Sequence, residues 1–154
     1  MVEESDALRA FLATARRRRY ADEGGAVPAV LPSARQVEFA SDGWRYWDLS
    51  VGGERFAGQE FVYRDQSPFW SMVYAGGRWP EAELATADIY RFLRAALIAE
   101  AERCRLPGRS LHGEELLRYI SSAAGDLAWF EGDEEVRYQG RVVYRMVFSG
   151  GLVG

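Results

Sequence analysis

The sequence predicts an α+β fold, a curved antiparallel sheet with helices packed on it, forming one domain over residues 1–154. Three observations predict it. Apolar residues make up 48% of the 154, enough to bury a real core. Segments that alternate apolar and polar residues are separated by Gly- and Asp-containing turns, as in hairpins. The chain also repeats itself. Residues 56–77, FAGQEFVYRDQSPFWSMVYAGG, lie without a gap on residues 130–151, FEGDEEVRYQGRVVYRMVFSGG. Phe56, Gly58, Glu60, Val62, Met72, Val73, Gly76 and Gly77 return as Phe130, Gly132, Glu134, Val136, Met146, Val147, Gly150 and Gly151. Two units are too few for a solenoid, so the repeat suggests two helix-plus-strands halves, about 5–77 and 81–151, related by a pseudo-twofold axis.

The elements follow in order. Ser5 can cap a first helix, with Leu8, Phe11, Leu12 and Ala15 on one face. The run Arg16 to Arg19 reads as cations complementing the helix C-terminus. A nucleic-acid role is disfavoured because the net charge is −4. Residues 22–34 form a Gly/Pro loop. Val37 and Phe39 begin the strands, and Asp42-Gly43 is a hairpin turn. Trp44, Tyr46 and Asp48 then share one strand face. Gly52-Gly53 leads into a strand over 56–63, and 65–68 turn into one over 69–75. A long helix is expected from Glu81 to Cys104, with Pro80 at its start and Ile89, Phe92, Leu93, Ala96, Leu97 and Ala101 as its apolar stripe. After Pro107-Gly108, strands are expected over 116–120, 129–138 and 142–148.

Strand alternation gives the repeated glutamates a direction. Glu131, Asp133, Glu135 and Arg137 occupy the solvated face, so Phe130, Gly132, Glu134 and Val136 face inward. The same logic turns Glu60 inward. A buried carboxylate must be paired, hydrogen bonded or protonated, and the glycine two residues earlier lets a ligand or another side chain approach. Glu60 and Glu134 are therefore candidates for ligand anchoring or acid/base catalysis, or for a purely structural role, with Asp48 a third candidate. Aromatics are 14% of the chain. Tyr46, Trp70, Met72, Tyr74, Trp129, Tyr144 and Phe148 are the expected pocket wall, suited to a cationic or aromatic ligand.

Other chemistry is sparse. His112 is the only histidine and reads as a surface turn residue. Cys104, the only cysteine, reads as half-buried packing and fits a reducing cytoplasm. The acidic N-terminus does not look like a signal peptide, and no apolar run suggests a membrane span. The chain has no lysine, so a lysine Schiff base is excluded. No phosphate-loop glycine pattern occurs, so no nucleotide cofactor is expected, and no metal site is indicated. Three roles stand: a small-molecule-binding protein, a cofactor-free isomerase, cyclase or hydrolase, and an interaction module or homodimer.

The string GGERFAGQEFV, then PFWSMVYAG, WFEGDEEVRYQGRVVY and a terminal Gly-Gly resemble a bacterial family of domains of unknown function. Its members stand alone or are appended to XRE-type helix-turn-helix regulators. The likeness runs from about Phe11 to Gly151 and includes Asp48. It implies a ligand-sensing or small-molecule-handling module. Two features depart from the family pattern: Ser149 stands where many members have histidine, and Pro107-Gly108-Arg109 replaces an Arg-Gly-Pro stretch.

Overall fold

A computed structural model describes residues 2–22 and 25–154. The elements are α1 (Val2–Asp22), β1 (Ala26–Val27), β2 (Ala34–Ser41), β3 (Trp44–Gly52), β4 (Arg55–Arg64), β5 (Ser67–Arg78), α2 (Thr86–Ala99), β6 (Gly108–Glu114), β7 (Leu117–Asp126), β8 (Trp129–Tyr138) and β9 (Arg141–Leu152). All the strands pair antiparallel in one open sheet of order β1-β2-β3-β4-β5-β9-β8-β7-β6. The runs β2–β5 and β6–β9 thus meet along β5 and β9. At that seam Met72 pairs with Gly150 and Gly76 with Met146.

Two-residue turns join the strands because their residues reach positive φ. Asp42 and Gly43 lie at φ 51° and 81°, as the Asp-Gly signal predicts. Gln139 and Gly140 repeat this at 49° and 81°. Asp65 and Gln66 do so at 46° and 69° without a glycine.

Both helices pack on one face of the sheet. Leu8, Phe11, Leu12 and Ala15 of α1 are buried, and the Phe11 ring stacks on Phe39 and Trp44. Ile89, Phe92, Leu93, Ala96 and Leu97 form the buried stripe of α2. Tyr90 of α2 meets Phe56 and Tyr144 of the sheet. The opposite face carries the Trp47–Tyr63 contact and half-exposed Val73 and Val147. No described helix is long and apolar enough to cross a membrane.

Several boundaries differ from the sequence expectation. The first helix starts at Val2 rather than after Ser5, with Glu3 and Glu4 complementing the dipole in its first turn. The second helix is shorter than the expected 81–104. Glu81 has φ 66°, and the chain leaves the helix through turns that end at Arg105, φ 55°. Ala101, the last residue of the expected apolar stripe, is still fully buried beyond the helix, and Cys104 is core rather than half-buried packing. A short strand, β1, falls inside the expected 22–34 loop. Strand β6 was not expected: its inward residues are Ser110 and His112, so it lacks an apolar alternation. His112 is therefore a strand residue whose ring packs 5.8 Å from that of Phe92.

The glycine-free turn between β4 and β5 yields a test. A left-handed backbone costs a non-glycine residue about 1–2 kcal/mol. Gln66→Gly should raise stability by about 1 kcal/mol in urea denaturation. An unchanged or lower midpoint would mean that this turn carries no such strain.

Candidate functional site

The inner face of the sheet holds three buried carboxylates. Glu60 and Glu134 are fully buried and Asp48 nearly so. Period-two alternation places them there: Asp48 and Glu60 are cross-strand partners on β3 and β4, and Glu134 of β8 faces Ser121 of β7. Leaving such groups unpaired would cost several kcal/mol each. Arginine meets all three.

Glu134 is fully engaged. Arg105 grips it bidentately, Nε to Oε2 at 2.9 Å and Nη2 to Oε1 at 2.6 Å. The Tyr119 hydroxyl donates to Oε2 and the Tyr144 hydroxyl to Oε1, each at 2.7 Å. Arg105 in turn donates from Nη1 to the Tyr20 hydroxyl and from its backbone N–H to Ser121 Oγ. Burial alone pushes the Glu134 carboxyl up, but the Arg105 charge and the donated hydrogen bonds outweigh it and hold its pKa below the ordinary value. Burial first, and then Glu134, push the Tyr119 and Tyr144 hydroxyls well above theirs, so both remain donors.

Glu60 and Asp48 are met from α1. Arg16 donates to Glu60 Oε2 from Nη2 at 2.9 Å and from Nε at 3.3 Å, and Nη1 holds the Cys104 carbonyl at 2.8 Å. Arg19 pairs with Asp48, whose other oxygen accepts from the Tyr74 hydroxyl at 2.6 Å. The remaining arginines of the run are also engaged: Arg17 with Glu102, and Arg18 over the Phe39 ring. The run therefore fans around the helix to four separate partners, rather than serving only the helix terminus.

Trp47 Nε1 and Arg78 Nε are buried without a hydrogen-bond partner among the described residues, and so are three groups that cluster at Glu60. These three are Tyr46 Oη, Glu60 Oε1 and Trp70 Nε1, all on fully buried residues. Their positions mirror the closed site. Tyr46 and Trp70 flank Val62 in the ladder, as Tyr119 and Tyr144 flank Val136.

The sequence-predicted wall residues separate. Tyr46, Trp70, Met72, Tyr74, Tyr144 and Phe148 are all buried on the inner face. Trp129 is 77% exposed on the opposite face, because alternation along β8 turns Phe130 inward. The Tyr74 side chain occupies the space above Gly58, where a β-carbon would collide with its hydroxyl. Sequence reasoning missed Arg16, Arg19, Arg105, Tyr20 and Tyr119. The signal for the arginines was the requirement that buried carboxylates be paired in a chain whose only long cations are arginines. Ser71 donates to the Glu60 backbone carbonyl, a sheet contact. Burial lifts the Cys104 thiol to about 11, which leaves it unreactive at neutral pH. A groove of about 660 Å³ lies on the uncovered face among Val73, Ala75, Glu131, Asp133, Arg145 and Val147.

The Glu134 site can be tested by substitution, with Tyr46→Phe as the comparison. Arg105→Met should cost about 3–5 kcal/mol in chemical denaturation, because it strands a buried carboxylate. Tyr119→Phe should cost about 1–3 kcal/mol, and Tyr46→Phe close to nothing, since only the first breaks a bond within the protein. Because the Glu134 pKa is lowered on folding, its contribution is present above the ordinary carboxyl value of 4.5 and is lost as pH falls through the folded value. Glu134→Gln should therefore flatten the acid limb of a stability-versus-pH curve. An unchanged slope would remove Glu134 from the acid transition.

No curated protein and no solved structure matches the chain. Residues 48–153, from Asp48 on β3 to Val153 just past β9, match the domain of unknown function DUF5680. The chain belongs to the DUF5680 family.

Proposed function

We propose that this protein is a small-molecule-binding module whose ligand seat lies on the inner face of the sheet beneath α1, around Glu60. One observation carries the reading. Protein donors engage both oxygens of Glu134, whereas Glu60 Oε1 and the flanking Tyr46 hydroxyl and Trp70 indole have no partner among the described residues. Buried polar groups are normally satisfied, and groups that are not belong disproportionately to sites completed by something else. The Arg19–Asp48 pair lies beside the seat, Asp48 being the cross-strand partner of Glu60, and the Arg19 side chain is 17% exposed.

The repeat supports the same reading. We take the two strand runs as an internal duplication about a pseudo-twofold axis between β5 and β9. One copy has become a closed structural site and the other a receptive one. The likeness to domains carried beside XRE-type regulators supports ligand sensing, and a buried, unreactive Cys104 suits a reducing bacterial cytoplasm.

A thermal-shift screen of small polar and aromatic metabolites tests the seat. A ligand should raise the Tm of the unsubstituted chain, and Trp70→Phe or Tyr46→Phe should abolish the rise while Tyr119→Phe preserves it. Equal shifts in all three variants would place binding elsewhere.

The uncovered face supports a second role as a contact surface for a partner or a second copy, because Val73 and Val147 stand half exposed beside the groove. A dimer in light scattering that Val73→Asp dissociates would establish it, and a chain that stays monomeric at high concentration would argue against self-association.

A further inference from the structure

Building on the seat proposed around Glu60, we infer that its guest is a neutral group presenting a hydrogen-bond donor and an acceptor side by side, as a carboxamide, urea or lactam does.

Charge sets the first condition. The inner-face carboxylates Asp48, Glu60 and Glu134 are matched one for one by Arg19, Arg16 and Arg105. The buried cluster is therefore neutral. A cationic guest would add an uncompensated charge and compete with Arg16, which is fully buried and already held by Glu60 Oε2 and the Cys104 carbonyl. An anionic guest would meet the free oxygen of Glu60 and be repelled. Either ion would lose its hydration and bring a charge that the neutral cluster does not compensate.

Hydrogen-bond polarity sets the second. The Trp70 indole N–H only donates, so the guest must accept there. As the carboxylate partner of Arg16, Glu60 accepts, so the guest must donate to Oε1. The Tyr46 hydroxyl does either. Burial, and then the Glu60 charge, raise its pKa well above the ordinary value, so it keeps its proton.

Geometry sets the third. In the closed site, hydroxyls from the two positions flanking Val136 both reach the carboxylate of Glu134. Tyr46 and Trp70 flank Val62 in the same register, with Glu60 two residues along the same face. Trp70 stands where the closed site has Tyr144, and an indole carries its N–H nearer the backbone than a phenol carries its hydroxyl. The Trp70 ring is further committed to stacking on Phe130 at 5.9 Å. Neither Trp70 Nε1 nor Glu60 Oε1 has a partner among the described residues, and a planar amide would satisfy both: its N–H to Glu60 Oε1, its carbonyl oxygen from Trp70 Nε1.

Three probes of one shape separate the possibilities: acetamide, acetamidinium and acetate, which are neutral, cationic and anionic. The readout is the Trp70 indole resonance in a proton–nitrogen NMR spectrum, assigned by its loss in Trp70→Phe. Acetamide should move that resonance saturably, the two ions should not, and Tyr46→Phe should weaken acetamide about tenfold, the loss of one hydrogen bond. A shift with acetamidinium or acetate in place of acetamide overturns the neutral guest but leaves the seat standing. If none of the three moves the resonance, the amide-type guest is overturned. The seat is then judged separately by the thermal-shift comparison of Trp70→Phe with Tyr119→Phe.

Discussion

Three carboxylates on the apolar face of a sheet are the constraint on which the rest of this fold depends. Each must meet a cation within the core, and the sheet supplies none of the three cations itself. Two come from α1 and one from the turn after α2. Arg16 and Arg19 lie three residues apart on α1, so they project from nearby positions on the helix. Their targets, Glu60 and Asp48, are cross-strand partners. The match fixes the rotation and axial position of α1 more sharply than the small stripe of Leu8, Phe11, Leu12 and Ala15 does alone. Buried ion pairs contribute little net stability against apolar replacements, but they penalise wrong docking heavily. Here they serve mainly to select one placement of each helical segment.

Arg105 illustrates the same logic at the other end. The chain leaves α2, and Arg105 takes a left-handed conformation at φ 55° while its side chain reaches Glu134. Its neighbour Cys104 presents a carbonyl to Arg16. One short turn therefore joins the two carboxylate sites. Tyr20 completes the link by accepting from Arg105 at the end of α1.

What was legible in the sequence was local. The Asp42-Gly43 turn, the period-two faces and the inward direction of Glu60 and Glu134 depend on neighbours within a few residues. The same alternation that turns Phe130 inward also turns Trp129 outward, and the aromatic character of Trp129 obscured that. Strand β6 and the second half of β7 were hidden because Ser110, His112, Ser121 and Ser122 give no apolar rhythm. The cations were hidden for a different reason. Arg16 and Glu60 are 44 positions apart, and a run of arginines at a helix end looks solvated until the whole chain has folded. Pairing across that distance is a property of topology, which no local pattern encodes.

A structural requirement explains why the glutamate occurs twice; it does not explain why its surroundings differ. Ser121 faces Glu134 where Asp48 faces Glu60, and Tyr144 flanks one site where Trp70 flanks the other. Asp48 adds a second negative charge beside Glu60, and Arg19 answers it. Trp70 in place of a tyrosine removes a hydroxyl that would reach the carboxylate. Both differences make the first site more expensive to build than the second, which shows that the cheaper solution is available to this fold. The first site thus keeps, beneath α1, three buried polar groups that find no partner among the described residues, a cost that the second site avoids.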